Sequence, residues 1–433
     1  MIRPESAPLT QIRHRLSESR DPAYYATPAM LSAGRRIEMQ TAQIVLLCLT
    51  TFLNLFSVYL GAIFLFTFKR RRPYPPSERF ARFAVIIPAR NESGVISNLI
   101  AALNGQDYPA DRIDVYVAVN NCTDDTETVS RAAGAKIIAC TGRITCKGDV
   151  LHQAFEALLP MDYDAFAVFD ADNIPDPAFM RRMNDALSAG ERVCKGRLKA
   201  GNAFDSWVSG GYGLYHALME WTYSLPHTNA GFSSNLVGTA FVAHREVMEA
   251  LGGWNTSSLC EDTEFAAQTT RLGYRVAFVP EAMSYDEQVA RFGVSLRQRR
   301  RWCYGMVQAA RRMTLSMFRR SCPRKGMARD FGMLFIICHT APLAGLLGLA
   351  LLPMQPPVMW ALCGAGLALA WIAVSLLAIL LCRIGGYPVR RMRGAILMFP
   401  LFMASWMPLQ ILALFVPVRS WSEIKHHGQK DAG

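Results

Sequence analysis

Four long apolar blocks, one before and three after a stretch of mixed composition, set the strongest limit on what this chain can become. From Thr41 to Phe68 it is nearly uncharged. That length suffices for one transmembrane helix and falls short of two. It is also too long, and starts too late, for a cleaved signal peptide. Further blocks lie at about 331–353, 358–382 and 395–418, the first two separated only by Met354-Gln355-Pro356-Pro357. Hydrophobic residues make up 51% of the chain, yet 18% is charged. Apolar content gathered into a few blocks implies a soluble domain carrying membrane spans, one N-terminal and about three C-terminal, rather than a single greasy domain. Pro342, Pro400 and Pro408 are expected to kink their helices. The polar arm 1–40, broken by Pro4, Pro8, Pro22 and Pro28, is expected to be poorly ordered, and 419–433 is a tail. Lys69-Arg70-Arg71-Arg72 after the first block, and Arg383, Arg390, Arg391 and Arg393 between the last two, place the soluble domain in the cytoplasm by the positive-inside rule, although the arm also carries arginines.

The domain, residues 80–290, alternates short apolar runs with helical patterns. Phe83–Pro88, Val115–Val119, Lys136–Ala139 and Ala165–Phe169 read as strands. Helices are expected over Ser93–Leu103, Thr126–Ala133 and Lys147–Leu159, so the pattern is one of βαβ units and a parallel sheet. Val237–Val242 reads as another strand. No Gly-x-x-x-x-Gly-Lys loop is present, which disfavours an ATPase.

Asp170-Ala171-Asp172 stands where a buried strand opens into a loop, the place where open α/β sheets bind ligands. Paired carboxylates there are hard oxygen ligands suited to Mg²⁺ or Mn²⁺. An isolated Asp-x-Asp serves more often to cap a turn and the next helix. Glu261 and Asp262 open a helix, where acids favour the dipole as readily as they provide a general base. The net charge of +12 sits mostly beside the apolar blocks, so its partner is anionic membrane lipid rather than nucleic acid. The most basic run, Leu296–Trp302, opens segment 291–325. There Trp302, Met306, Ala310, Met313 and Met317 recur at helical spacing, the pattern of an amphipathic helix on the membrane surface. Charge runs of this kind are commonly just solvated or lipid-facing. The 11 cysteines are scattered without a Cys-x-x-Cys pair, which fits a reducing cytosol and argues against a disulfide framework or structural zinc.

Together these residues resemble the membrane-integrated glycosyltransferases of family 2, the group of cellulose, hyaluronan, chitin and poly-N-acetylglucosamine synthases. The resemblance covers residues 83–302 and the flanking spans. It rests on Ile87-Pro88-Ala89-Arg90-Asn91-Glu92, Asp170-Ala171-Asp172, Glu261-Asp262 and Gln298-Arg299-Arg300-Arg301-Trp302, which fits Gln-x-x-Arg-Trp. It implies a GT-A (Rossmann-like) α/β fold in the plasma or inner membrane and inverting transfer from a nucleotide-sugar donor, most often UDP-linked. By the same resemblance Asp172 holds Mg²⁺ or Mn²⁺, with Asp170 assisting at metal or nucleotide. Asp262, beside Glu261, is the catalytic base. Gln298, Arg301 and Trp302 take diphosphate and acceptor, and Lys147 lies near the nucleotide. Arg90, Glu92 and Asn120 fall in the nucleotide pocket, where Arg90 and Asn120 replace the family's usual Tyr and Asp. The implied acceptor is a growing polysaccharide; a lipid acceptor, as in ceramide glucosyltransferases, is the alternative. A sugar-binding scaffold with a dead catalytic domain is disfavoured by the intact Asp170, Asp172, Asp262 and Trp302. Four spans are few for an export channel, so a second copy or an export partner would have to supply more.

Overall fold

A computed structural model describes residues 28–355 and 357–418. Helix α1 (Pro28–Phe64) and a short 3₁₀ turn, Leu65–Phe68, precede the soluble unit. The arm expected to be irregular up to residue 40 is thus helical from Pro28, because proline is well tolerated in the first turn, where its missing N–H has no acceptor to lose. Residues 1–27 and the tail 419–433 lie outside the described residues.

The soluble unit is built on an eight-stranded sheet. In chain order its elements are β1 (Phe83–Ala89), α2 (Ile96–Asn104), β2 (Ile113–Asn120), α3 (Thr126–Ala132), β3 (Lys136–Cys140), α4 (Lys147–Leu158), β4 (Ala165–Val168), β5 (Ile174–Pro175), α5 (Phe179–Ser188) and β6 (Val193–Ala200). Then come α6 (Trp207–Met219), a π-turn (Glu220–Ser224), α7 (Leu225–Ala230), β7 (Phe241–His244), α8 (Arg245–Leu251), α9 (Glu261–Leu272) and β8 (Val276–Asp286). The order across the sheet is β3-β2-β1-β4-β7-β6-β8-β5. The first four strands are parallel, as the βαβ pattern implies. Beyond them the sheet is mixed, since β7 runs antiparallel to both β4 and β6 and β5 runs antiparallel to β8. Alternating residues of β1 feed two cores. Ala84 and Ile86 face α4 and α9, while Val85 and Ile87 face α2 and α5.

The run expected to be a strand at 237–242 is a strand only from Phe241. Gly238 and Ala240 hold positive φ, 25° and 53°, which breaks the ladder and turns Gly238 into the site described below.

Four helical stretches among the described residues are long and apolar enough to cross a membrane: Arg36–Phe68, Lys325–Leu351, Pro357–Gly385 and Arg393–Phe415. The last three are α11 (Lys325–Leu351), α12 (Pro357–Gly385) and the pair α13 (Arg393–Ala404) and α14 (Trp406–Phe415). The pair breaks at Ser405, because the ring of Pro408 crowds the carbonyl four residues back, at Ala404.

Helix α10 (Phe292–Met317) joins the two halves. Its apolar stripe does not form a surface for lipid. Ala310, Met313 and Met317 are buried in the core that also takes Phe331 and Phe335 of α11 and Phe265 of α9. Periodicity identified the shared face; the face opposite it is protein. The two halves also meet along α6, where Gly210 and Gly211 allow backbone contact: a Cβ on Gly210 would stand 2.7 Å from that of Ala395, and one on Gly211 would stand 2.9 Å from the Phe402 ring.

Arg299, fully buried, fills the break in the last span. Its Nη1 donates to Phe402 O at 2.9 Å and Ser405 Oγ at 2.8 Å, and its Nε donates to Ser295 Oγ at 3.1 Å. Its guanidinium also lies 4.3 Å from the Phe402 ring centre and 5.3 Å from that of Trp406. Hydrogen bonds from charged donors are worth about 1.5–3 kcal/mol. Arg299→Met is therefore expected to destabilise the protein by roughly that amount, read as a lower thermal midpoint in detergent. An unchanged midpoint would show the break stands without it.

Candidate active site

The carboxyl ends of β1 and β2 carry two loops tied to one another. Asn91, at φ 58°, accepts the Thr123 N–H at 2.8 Å. The N–H of Glu92 donates to Thr126 Oγ1 at 2.8 Å, and the N–H of Ser93 donates to Asp124 at 3.1 Å. Asn120, at the end of β2, is only 4% exposed, and its Oδ1 has no hydrogen-bond partner.

Next to these loops, Lys147 begins α4 and reaches across the site. Its Nζ lies 2.5 Å from Asp170 Oδ1, 2.6 Å from Gly238 O and 3.9 Å from Glu261 Oε1. Gly238 is held from its other side as well, since its N–H donates to Asp262 Oδ2 at 2.6 Å. The second oxygen of Asp262 accepts the Thr263 N–H at 2.7 Å. Asp170 is fixed through its own N–H, which donates to Thr239 Oγ1 at 2.8 Å. A short backbone segment, unremarkable in the sequence, thus joins the Asp170 loop to the start of α9.

Burial governs the charges here. It lifts the Glu261 carboxyl to about 7 against the opposing pull of Lys147. It also lifts Asp262, opposed by the backbone N–H groups of Gly238 and Thr263. Burial alone would depress Lys147, but Asp170 and Glu261 outweigh it and hold the ammonium above its usual value. Asp286, at the end of β8, is pushed well above the carboxylate range by burial and by the nearness of Asp172. Gln288 donates to its Oδ2 at 2.5 Å, and its Oδ1 is without a partner.

Helix α10 brings in the remaining residues. Gln298 Oε1 accepts from Tyr212 OH at 2.9 Å. Trp302 meets the Tyr212 ring edge-on, stacks on Trp406 at 6.2 Å, and takes the Cys260 thiol on its carbonyl oxygen at 3.2 Å. Gly305 makes this approach possible, because a Cβ there would stand 2.6 Å from the Cys260 nitrogen.

Every residue singled out from the sequence lines one cavity of about 1300 Å³: Arg90, Glu92, Asn120, Lys147, Asp170, Asp172, Glu261, Asp262, Gln298, Arg301 and Trp302. The same cavity takes in Gly238, Asp286, Tyr215, His216, Asn235 and Trp406, which the sequence did not mark. Glycine, histidine and tryptophan scattered outside any motif carry no local signal of a site.

A family model described as "Glycosyltransferase like family 2" matches residues 81–305, more than half of the chain. The chain belongs to that family. It is 28% identical over 253 residues to a probable glycosyltransferase of Bacillus subtilis (strain 168), covering 55% of this chain and 59% of that one. Against putative cellulose synthase 2 of Komagataeibacter xylinus it is 28% identical over 287 residues, 63% of this chain and 18% of that one. A β-monoglucosyldiacylglycerol synthase of Synechocystis is 26% identical over 251 residues, covering 54% of this chain and 49% of its own. The chain thus spans less than two-thirds of the length of these curated relatives. In fold it is similar to the mannosyltransferase from Pyrobaculum calidifontis solved in complex with GDP-Man and Mn²⁺, with a TM-score of 0.63 and 17% identity over 86% of this chain and 99% of that one. The soluble unit is therefore a GT-A fold.

The contact at Gly305 can be tested directly. Overpacking of this kind costs about 1–3 kcal/mol. Gly305→Ala is expected to lower the thermal midpoint accordingly, and Gly305→Val to prevent folded protein from accumulating. Wild-type stability in Gly305→Val would show that α10 does not bear on Cys260.

Proposed function

We propose that the chain is an inverting glycosyltransferase that moves a sugar from a UDP-sugar to a growing polysaccharide at the membrane, with its GT-A unit in the cytoplasm. The observation that carries this reading is the convergence of Lys147, Asp170, Asp172, Asp262, Gln298, Arg301 and Trp302 on one cavity between the sheet and the membrane helices.

The donor set fits a divalent ion. All its side-chain ligands would be hard carboxylate oxygens, and the buried Oδ1 of Asp286, near Asp172, is orphaned. No three such side chains among the described residues stand together as a ready-made metal site. This suits Mg²⁺ or Mn²⁺, which are held by one or two carboxylates plus substrate phosphates. Asp172 would hold the ion, with Asp170, which also pairs with Lys147, assisting. When bound, the ion would neutralise charge growing on the diphosphate. Arg301 adds a fixed positive charge at the same leaving group.

Asp262 takes the proton of the acceptor hydroxyl as that oxygen attacks the anomeric carbon. Backbone N–H groups on both of its oxygens hold the carboxylate in one orientation and leave further lone pairs to face the acceptor. Glu261 balances Lys147 beneath it. Trp302 and Gln298 position the acceptor, and Arg90, Glu92 and Asn120 form the nucleotide end. Such a complete constellation is not expected of a dead scaffold. The second reading, a single sugar added to a lipid, draws on Leu334, Cys338 and Met403, apolar residues of α11 and α13 that line the inner end of the cavity.

The test is to incubate the protein in lipid nanodiscs with radiolabelled UDP-sugars and Mn²⁺ or Mg²⁺, with and without EDTA, and to size the product. A polymer made only with metal is expected. A product of one sugar on lipid would select the second reading, and no transfer from any UDP-sugar would overturn both.

Asp262→Asn should lower kcat by roughly 10²–10⁴-fold with little change in donor affinity. Because burial raises the Asp262 pKa, and the base works only when ionised, wild-type kcat should fall with decreasing pH from a point above the ordinary aspartate range. A limb near pH 4 or lower, or near-normal turnover by Asp262→Asn, would remove Asp262 from that role.

The buried, unpartnered Oδ1 of Asn120 can accept the uracil ring N–H, as an Asp would, but without charge assistance. Asn120→Asp is expected to tighten UDP by up to about 1 kcal/mol, measured beside GDP and ADP on both proteins. Preference of the wild type for GDP or ADP would overturn the UDP assignment.

A further inference from the structure

Strand β6 carries a lysine in its buried middle. Lys195 is 3% exposed. Its Nζ donates to Ser224 Oγ at 3.1 Å and to Asn235 Oδ1 at 3.2 Å, and Ser224 Oγ donates to the same Asn235 oxygen at 3.1 Å. A buried ammonium met only by neutral groups costs desolvation energy that an apolar side chain would avoid, which points to a use for the charge.

The bonds of β6 show where that charge acts. Lys195 holds Asn235, and the N–H of Gly196, next along, donates to Ala240 O at 2.8 Å. Strand β6 therefore clasps the segment 235–240 at both ends. Within that segment stands Gly238, whose N–H holds Asp262 and whose carbonyl takes Lys147. On its other side Lys195 rests on the π-turn, which Ser224 closes. Glu220, which opens the turn, accepts the Leu198 N–H at 3.1 Å and pairs with Arg197 at 3.2 Å. Such π-turns are frequent at functional sites.

Electrostatics links the same groups. Burial pulls the Lys195 ammonium below its usual value, opposed by Glu220 and Asp262. The attraction is mutual, so the ammonium favours the ionised form of Asp262 in return. Burial and Lys195 push His216 down to about 4, so its imidazole is neutral, and Arg197 is engaged by Glu220. Around Asp262 itself stand Glu261, Asp170, Lys147 and the Cys260 thiol, which burial keeps neutral. Lys147 is already paired with Asp170 and Glu261.

We infer that Lys195, acting through Asn235, is a positioning residue for the transfer reaction: it anchors the segment that holds Asp262 and supplies a remote positive charge that keeps this base ionised. This rests on the assignment of Asp262 as base and adds a residue outside the motifs that carry the family resemblance.

The experiment is a pH profile of kcat, read as UDP release in nanodiscs with Mn²⁺. The donor is whichever of UDP-glucose, UDP-galactose and UDP-N-acetylglucosamine the wild type turns over fastest. Lys195→Met is expected to lower kcat by about 10–100-fold with donor KM little changed. Its acidic limb should move to higher pH by about 1 unit, since without the cation Asp262 is harder to ionise. Lys195→Arg, which is always charged, should return the limb to its wild-type position. Asn235→Ala, which cuts the anchor and keeps the charge, should lower kcat with the limb in place. Should Lys195→Met not accumulate as folded protein, Lys195→Gln, neutral but still a donor to Asn235, is read for the same movement of the limb. Wild-type kcat in Lys195→Met or in Asn235→Ala, a loss of kcat in the neutral variants with the limb unmoved, or a limb displaced equally in Lys195→Arg overturns the inference. No UDP release by the wild type from any of the three donors, or near-normal turnover by Asp262→Asn, overturns the reading beneath it instead.

Discussion

A guanidinium sealed inside the protein is the joint between the chemistry and the membrane helices. Arg299 and Ser405 both donate to the carbonyl of Phe402 beside the break in the last span, and the guanidinium lies against the ring of Trp406 just past that break. It sits within the same helical turns as Gln298, Arg301 and Trp302. Those residues therefore take their position from a fracture in a membrane helix as much as from the soluble unit. Broken spans are tolerated where protein groups satisfy the freed backbone. Here the group that does so is part of the basic run beside the cavity.

The second organising contact is the double grip on Gly238. Lys147 holds its carbonyl and Asp262 its N–H, so the Asp170 loop and the start of α9 are referred to one backbone position. Lys147 counters charge on Asp170 and Glu261 together. The site thereby holds several carboxylates close to one another with one ammonium among them.

Much of this was legible in the sequence, for local reasons. The strand before Asp170, the acids opening α9 and the apolar blocks are contiguous strings whose period or length is itself the signal. What escaped depends on partners distant in the chain. Arg299 looks like any surface arginine in a basic run, since nothing nearby says that a break at Ser405 will close over it. The stripe from Trp302 to Met317 was read correctly as one face, but periodicity is silent about whether lipid or protein covers it. Val237–Ala240 has strand composition, but the positive φ of Gly238 and Ala240 takes it out of the ladder, and Lys147 and Asp262 grip Gly238 there. β6, β8 and α6 carry no motif; His216 and Tyr215 became visible only once α6 lay against the cavity.

Helix α12 has one consequence for the whole. Its 29 residues, at about 1.5 Å each, exceed a hydrocarbon layer of about 30 Å. Most of it is exposed, but Ala378, Leu381 and Cys382, near its end, are buried in the cluster that also contains Tyr212 and Leu214 of α6. A long helix in a thinner bilayer tilts, kinks or thickens the bilayer around it, and this one packs on α6, the wall that carries Tyr215 and His216. The cavity wall thus rests on a helix that contributes no side chain to the cavity.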